Sequence, residues 1–388
     1  MVMRGMVVWE RGRTDRRGVT LVELLVVLAV VGILAIMLLP AVSAAREAAR
    51  RAVCLNRLRQ LGVGLATYET ARGKFPPGRE LPDWSLAGQV RSIYSNYRNV
   101  SQSGLVSETT GFRSVHLALL PFVELQAVYD GMEWSRPLSM RMTSGGRPYN
   151  ASFSALTSVQ DEFLCPSDVS RPVRPTDNSY RYNFGGGTPY AGANSPRLQS
   201  THDGRLAGLS VQGNGAFTMG EGLSAGEFTD GLSHTVFFSE RTRGSGRRPS
   251  EAIPTRADMV TMPDRSQRLP DREAMFQACG KYQPEPSPFH FTSTGSWLPE
   301  ADFSNGWPFG GYASTMYNHV APPNWSGYDC GSWSAIADTP GEHAIVSARS
   351  EHPGLVQAAY GDGRAEAVSD GIDVELWRRL GGRSDERP

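Results

Sequence analysis

The longest apolar stretch of the chain lies close to its first residue. Residues Val19 to Leu39 form a run of 21 positions with a single charged side chain, Glu23. A helix rises ~1.5 Å per residue, so a run of this length crosses a hydrocarbon core of ~30 Å. A secretory signal has a shorter apolar stretch and a cleavage site of small residues, which Leu38-Leu39-Pro40 does not provide. The pattern therefore predicts a retained membrane-spanning helix.

A second, amphipathic pattern follows directly. Its apolar side chains recur four, three, four and three residues apart, at Cys54, Leu58, Leu61, Leu65 and Tyr68. That spacing is typical of one face of an α-helix. We expect the helix to continue beyond the membrane and to end at Gly73 and the Pro76-Pro77-Gly78 segment that follows.

The remainder of the chain has short strand patterns and many turn residues. The sequence contains 42 Gly and 26 Pro, which favours short strands and loops over a helical bundle. One helical segment is predicted, at Val115–Tyr129. The strand candidates are Tyr180–Phe184, Gly215–Met219, Thr235–Ser239, Ala344–Ala348 and Val356–Tyr360. We predict an α+β fold in which the long helix packs on an antiparallel, loop-rich sheet.

Charge excludes one class of partner. Lys and Arg together number 39 and equal the 39 Asp and Glu, so the chain has no overall field that would hold nucleic acid. The first 18 residues carry five Arg against two acidic residues, a local charge of +3. Arg residues flank both ends of the apolar run, so charge counting alone does not orient it in a membrane.

The start of the apolar run carries a recognisable signal. Residues 16 to 25 read Arg-Arg-Gly-Val-Thr-Leu-Val-Glu-Leu-Leu. This stretch resembles the signal of type IV prepilins and type II secretion pseudopilins. The resemblance implies that prepilin peptidase cuts between Gly18 and Val19 and that Val19 is then N-methylated, although Phe is usual there. It also implies other pilin-like subunits as partners and a single pass through the bacterial inner membrane, with the body in the periplasm or at the cell surface.

Two further residues gain a meaning from the same resemblance. A carboxylate within a membrane span needs a partner, and in pilin assemblies the partner of Glu23 would be the free amine of a neighbouring subunit. The alternative is that Glu23 reaches the lipid headgroups. Pro40 falls where pilins of this type commonly kink. A simple helix break at the membrane exit is the other interpretation of Pro40.

Motifs along the body resemble those of one family, known as domain of unknown function 1559, whose members follow a prepilin signal and end with His, nine residues and Asp-Gly. The matching segments are Cys54–Gly62, Phe75–Gly78, Leu120–Phe122, Phe163–Asp168, Phe228–Ser233 with Glu240 beyond it, Tyr317–Asn324, and His352 with Asp362-Gly363. His234, Leu355 and Gly361 depart from the usual pattern. The resemblance covers almost the whole chain.

The closing motif is interpreted through its turn residues. Asp362-Gly363, like Asp230-Gly231, is predicted to form a hairpin corner, because Gly tolerates positive φ and Asp bonds the nearby backbone. The strand between His352 and Asp362 would hold the two ends ~30 Å apart, too far for a catalytic pair. We expect His352 to bond a loop backbone, with an assembly contact or a small metal site as the alternative.

No enzyme or metal signature emerges from the sequence. The seven histidines have neither helix-face spacing nor a cysteine pair beside them, and no nucleophile elbow is present. We therefore predict no catalytic residue, no metal and no cofactor. The four cysteines permit three pairings. Cys279–Cys330 is favoured, while Cys54 is either a buried free thiol or bonded to Cys165, which would pin the body to the helix.

These observations predict four segments: a leader at 1–18, a membrane helix at 19–39, its amphipathic continuation at 40–72 and an extracytoplasmic α+β domain at 73–388. The leading hypothesis is a pilin-like or pseudopilin-like structural subunit that assembles into a filament of the type IV pilus or type II secretion kind. The alternative is a membrane-anchored surface binding or adhesion protein that does not polymerise. An anchored hydrolase is a third, weaker hypothesis.

Overall fold

The computed structural model describes most of the chain, which divides into two compact units, residues 1–49 and 50–388. The described residues are 20–80, 84–86, 89–91, 109–110, 113–134, 142–144, 147–149, 152–159, 161–169, 176–187, 189, 213–247, 250–262, 271–287, 306–312, 314–333 and 340–384.

One helix, α1 (Leu21–Arg72), begins in the first unit and ends in the second. Thr20 and Glu23 cap its start reciprocally: the Glu23 carboxylate accepts hydrogen bonds from the Thr20 amide (2.8 Å) and hydroxyl (3.0 Å), and the Thr20 Oγ1 accepts one from the Glu23 amide. The large apolar side chains between Leu21 and Leu39 are exposed. The helix continues through Pro40, so a helix break at that residue is wrong.

In the second unit, α1 buries the predicted stripe. Cys54, Leu58, Leu61 and Leu65 are each at most 3% exposed, and Tyr68 packs edge-on against Phe122 at 5.3 Å between ring centroids. The helix ends at Arg72, and Gly73 follows with a φ of 72°. The predicted amphipathic helix and its glycine stop are therefore confirmed.

The remaining elements are short. The helices are α2 (Val115–Leu119), α3 (Gln126–Asp130), α4 (Phe153–Thr157), α5 (Arg272–Lys281) and α6 (Val374–Gly381), with 3-10 turns at Leu120–Phe122 and Ala225–Glu227. The strands are β1 (Trp84–Leu86), β2 (Gln89–Arg91), β3 (Thr109–Thr110), β4 (Met142–Ser144), β5 (Arg147–Tyr149), β6 (Tyr180–Asn183), β7 (Val236–Glu240), β8 (Met259–Thr261), β9 (Met316–Tyr317), β10 (Asp329–Trp333), β11 (Pro340–Ile345), β12 (Leu355–Tyr360) and β13 (Ala365–Ser369).

The strands form one central sheet and three smaller sheets. The central sheet has the order β13-β12-β7-β6-β9, and the others are β11-β10-β8, β2-β1-β3 and the β4-β5 hairpin. The predicted α+β class with loop-rich sheets is confirmed. The sheets are mixed rather than entirely antiparallel, because β6 pairs with β9, and β8 with β10, in parallel.

Three predicted elements differ from the structure. The strand predicted at Ala344–Ala348 lies four residues too late at its start, since the observed β11 covers Pro340–Ile345 and shares only Ala344 and Ile345 with it. Gly215–Met219 forms no strand and contributes one isolated bridge, from Met219 to Arg79. Gly215 lies against the backbone of Phe184, where a Cβ would come within 2.1 Å. The single helix predicted at Val115–Tyr129 divides into α2, a 3-10 turn and α3. Pro121 lies in that turn, and Glu124 takes a φ of 63°, which a helix cannot contain.

The main core lies where the second half of α1 meets the central sheet. Val236, Phe237, Phe238, Val356 and Ala358 are completely buried there, in the same cluster as the α1 stripe. A smaller core surrounds Cys279 and Cys330. Burial of apolar side chains in the two cores explains why strands of only a few residues hold their positions.

Candidate functional site

His352 lies just before β12, at the end of the strand opposite Asp362. Its side chain is buried, and its Nε2 lies 3.4 Å from Oε1 of Glu240 and 3.6 Å from Sγ of Cys165. Glu240 reaches this position because β7 pairs antiparallel with β12. Its Oε2 accepts a hydrogen bond of 3.0 Å from the backbone N–H of Gln357. The expectation that His352 only bonds a loop backbone missed these two side chains.

The cysteines join elements that are distant in sequence. Cys54 of α1 is bonded to Cys165, with 5.2 Å between their Cα atoms, so Cys54 is not a free thiol in this structure. The neighbouring Arg57 donates a hydrogen bond to the Leu164 carbonyl, and Gln357 Nε2 donates one of 2.9 Å to the Arg51 carbonyl. Together these links attach α1 to the central sheet.

The second disulfide lies in the smaller core. It joins Cys279 of α5 to Cys330 of β10, with 5.6 Å between the Cα atoms. This is the pairing that the sequence analysis favours, and each bond closes a long loop of chain, which restricts the unfolded state.

Two further side chains, those of Glu240 and His352, converge on the first disulfide. One ligand-type atom each from Cys54, Cys165, Glu240 and His352 lies within 4.8 Å of the other three, and all four residues are buried. Oε1 of Glu240 accepts no hydrogen bond in the part of the chain that the structure describes. Sequence reasoning missed the cluster because its members are far apart along the chain. A signal was present, since all four belong to the family segments quoted above.

The Asp-Gly end of the closing motif forms the β12–β13 hairpin corner, as predicted. Gly363 has a φ of 85°, and its amide donates a 3.0 Å hydrogen bond to the Tyr360 carbonyl. Asp362 Oδ1 accepts one from the Arg364 amide at 3.0 Å. A Cβ added to Gly62 of α1 would come within 3.1 Å of the Gly363 Cα, so helix and corner touch through their backbones.

The two ends of the closing motif therefore contact α1 at two different positions along the helix axis. His352 adjoins the disulfide of Cys54, and Gly363 touches Gly62. Eight residues separate these positions on the helix, which is ~12 Å along its axis. The spacing of the motif is that of a strand docked on a helix at two points.

The other Asp-Gly motif has a different role from the one predicted. Gly231 has a φ of 89°, and its amide donates a 3.0 Å hydrogen bond to the Phe228 carbonyl, so a tight turn is present. The turn follows the 3-10 turn Ala225–Glu227 and leads to β7, and the described segment directly before it, residues 213–228, contains no strand. The hairpin corner predicted for Asp230-Gly231 is therefore wrong.

A third family motif, around His319, holds the helix α6. His319 Nδ1 lies 2.8 Å from the Trp377 carbonyl oxygen, its Nε2 lies 2.9 Å from the Tyr317 hydroxyl, and its ring stacks on that of Trp377 at 3.7 Å. Burial lowers the pKa of His319 to about 3, so the ring is neutral at physiological pH. Sequence reasoning missed α6, whose N-cap Asp373 was a usable signal.

Buried ion pairs link the strands and loops around the sheets. Asp329 pairs with Arg241 at 2.9 Å and with Arg349 at 3.2 Å. Burial acts to raise the pKa of Asp329, but the two guanidinium groups outweigh it and hold the pKa below its usual value. Arg243 pairs with Asp177 at 3.0 Å in the same way. These buried charges are paired and hydrogen-bonded, as stable burial requires.

The residues predicted for processing lie at the other end of the chain. Gly18 and Val19 are outside the described residues. Glu23 is described, and its carboxylate bonds Thr20 of its own chain. Among the described residues, α1 is long and apolar enough to cross a membrane.

Comparison with known families gives separate matches for the body and for the amino-terminal segment. The model described as "Protein of unknown function (DUF1559)" matches residues 43–375. The chain belongs to the DUF1559 family. A second model, "Prokaryotic N-terminal methylation motif", matches residues 13–39. No match was found among curated proteins or among solved structures.

The methylation motif makes this DUF1559 protein a pilin-like protein of the kind that prepilin peptidase processes. Together with the exposed apolar helix, the motif supports membrane anchoring. Pilin-like proteins are typically structural. The DUF1559 match covers the cysteine–histidine–glutamate cluster, the Gly62–Gly363 contact and the His319 motif.

Proposed function

We propose that this DUF1559 protein is a pilin-like structural subunit that assembles into a filament of the type IV pilus or type II secretion kind. Prepilin peptidase cuts it after Gly18, Val19 is methylated, and residues 19–39 anchor it in the bacterial inner membrane. The DUF1559 body then lies in the periplasm or at the cell surface, and the protein engages other pilin-like subunits but no nucleic acid.

One observation carries this proposal. The methylation motif runs directly into an apolar helix whose large side chains from Leu21 to Leu39 are more than half exposed. In lipid such a helix gains nothing by burying itself in its own body, so it is available to pack against other helices. The described residues of the body meanwhile form two hydrophobic cores of their own.

A specific observation favours the alternative of an anchored binding protein that does not polymerise. The Glu23 carboxylate is already bound by the amide and hydroxyl of Thr20 in the same chain. A capped carboxylate has less need of a neighbouring amine. Assembly requires that the neighbour's amine compete with this cap, and the Glu23→Ala and Thr20→Ala variants described below test that competition.

Mass spectrometry of the mature amino terminus tests the processing step. The full chain is expressed with a cognate prepilin peptidase, and its amino-terminal peptide is sequenced. We expect a peptide that begins with N-methylated Val19. A Gly18→Leu variant, which changes the residue before the cut, should retain the leader. An intact leader in the wild type, or a cut at another bond, would contradict both the filament and the anchored-protein hypotheses in their present form.

A further inference from the structure

We propose that Cys54, Cys165, Glu240 and His352 form a Zn²⁺ site when the two cysteines are reduced. In this proposal the disulfide and the metal are alternative links at one position. Each would attach α1 to the central sheet, one under oxidising and the other under reducing conditions. The inference does not depend on filament assembly.

The donor set has the chemistry and dimensions of a zinc site. Zinc binds thiolate sulfur, imidazole nitrogen and carboxylate oxygen, usually as four ligands in a tetrahedron. Tetrahedral ligand atoms lie ~3.3–3.8 Å apart, given metal–ligand bonds of ~2.0–2.3 Å. The four donor atoms here lie within 4.8 Å of one another, so the most distant pair must approach by about 1 Å. After reduction the two sulfurs, no longer bonded, must also move apart to this ligand separation.

An independent observation points to a cation at this place. Glu240 is 2% exposed, and its Oε1 accepts no hydrogen bond among the described residues, although it faces His352 Nε2 at 3.4 Å. A buried carboxylate oxygen of this kind normally has a donor or a metal as partner. The other oxygen is fixed by the Gln357 amide at 3.0 Å, which orients the carboxylate as outer-shell partners orient metal ligands.

The local charges are compatible with this exchange. Two thiolates and one carboxylate carry three negative charges, and Zn²⁺ neutralises two of them. Arg57, which is part-buried, donates to the carbonyl of Leu164, the residue before Cys165, and so brings a positive charge to the sequence neighbour of one ligand.

The exchange balances as an ordinary dithiol reaction. A dithiol or phosphine reductant supplies two electrons, the sulfur–sulfur bond breaks, and two protons give two thiols. Zinc binding then releases both protons, since the ligands are thiolates. In the reverse direction, the disulfide of a disulfide-donating protein in an oxidising compartment breaks, accepting the two electrons and two protons from solvent to give two thiols, while the Cys54–Cys165 bond forms and Zn²⁺ leaves.

The second disulfide provides an internal control. Cys279 and Cys330 are also buried, but among the described residues they belong to no group of donor atoms like the one around Cys54. After reduction this pair offers two thiols without the histidine and carboxylate. Any metal that simply binds cysteine pairs would bind both places.

Cobalt(II) is the probe, because Co²⁺ bound to thiolates in a tetrahedral site has characteristic charge-transfer and ligand-field absorption. The full chain in detergent micelles is treated with phosphine in mild denaturant until all four thiols titrate, and then returned to buffer. We expect one Co²⁺ per chain with the tetrahedral thiolate spectrum, which Zn²⁺ displaces. The oxidised protein should show none of this spectrum.

Variants identify the ligands. Cys279→Ser with Cys330→Ser should leave Co²⁺ binding unchanged, whereas His352→Ala and the isosteric Glu240→Gln should each weaken it at least about tenfold. Formation of the Cys54–Cys165 disulfide in oxidised Glu240→Gln verifies that this variant folds. The proposal is overturned if reduced wild type shows no thiolate spectrum, or if the spectrum survives both ligand variants unchanged.

Discussion

At the scale of single residues, two buried histidines make the stability of the body sensitive to acid. His116 lies in α2 and is completely buried among aromatic rings, with Phe163 at 5.0 Å and Tyr182 at 5.7 Å between ring centroids. Burial lowers the pKa of His116 to about 3. His319 has a pKa lowered to about 3 for the same reason. Neither group can take a proton in the folded state near neutral pH.

The free energy of unfolding of the body should therefore fall as the pH drops below the pKa that histidine has in the unfolded chain. The unfolded side chain has a pKa of about 6.5, so between pH 6.5 and about 3 the unfolded state binds the proton and the folded state does not. The stability is complete above this window and decreases within it. At pH 5 the loss is about 2 kcal/mol for one such histidine.

His116→Phe tests this effect, because phenylalanine is of similar size and does not titrate. We expect the difference in unfolding free energy between pH 7 and pH 5 to shrink by about 2 kcal/mol. Urea unfolding of the full chain in micelles, followed by tryptophan fluorescence, measures it. Phe163→Leu alters the same packing without removing a titrating group, so its pH difference should match the wild type. An unchanged pH difference in His116→Phe would refute the assignment.

At the scale of elements, α1 and the β12–β13 corner depend on a backbone contact. A Cβ on Gly62 would come within 3.1 Å of the Gly363 Cα, and Gly363 itself needs its φ of 85°. A side chain at Gly62 must therefore push the helix and the corner apart. The adjacent Val63 points away and is 58% exposed.

We predict that Gly62→Leu destabilises the body by about 1–3 kcal/mol, the usual cost of overpacking, even though leucine favours helices more than glycine does. Val63→Leu is the matched control, since it places the same side chain one position away in solvent and should change stability by less than about 0.5 kcal/mol. Thermal unfolding monitored by circular dichroism compares them. Equal melting temperatures would show that the contact does not position the helix.

The elements also show what a single sequence can predict. The Cys54–Leu65 stripe and the turn at Asp362-Gly363 follow from local spacing and backbone preference, and both were predicted correctly. The cluster around His352 depends on β7 pairing with β12 and on Cys165 meeting α1, and local patterns do not encode such distant pairings. The parallel pairing of β6 with β9 was missed for the same reason. The helix α5 was overlooked although Asp271 caps it.

At the scale of the whole molecule, the chain combines an exposed apolar helix with a self-contained body. The contacts of His352, Gly363 and the Cys54–Cys165 bond all attach the body to the segment of α1 beyond residue 50. They leave the apolar residues from Leu21 to Leu39 exposed. The filament hypothesis proposes that copies of the protein pack through this helix and not through the body, so a Glu23 variant tests the choice between the two proposed functions.

Glu23→Ala should therefore keep leader cleavage and lose assembly, since the carboxylate that would pair with a neighbouring amine is gone while the cleavage site is intact. Crosslinking of the full chain in intact cells measures oligomers, and the mass of the amino-terminal peptide measures cleavage. Thr20→Ala is the control, because it removes the hydroxyl half of the cap and keeps the carboxylate. We expect this control to assemble. Glu23 acts only as a helix cap if Glu23→Ala assembles normally, or if Thr20→Ala loses assembly to the same extent as Glu23→Ala. If the wild type forms no oligomers, the protein is a membrane-anchored protein and not a filament subunit.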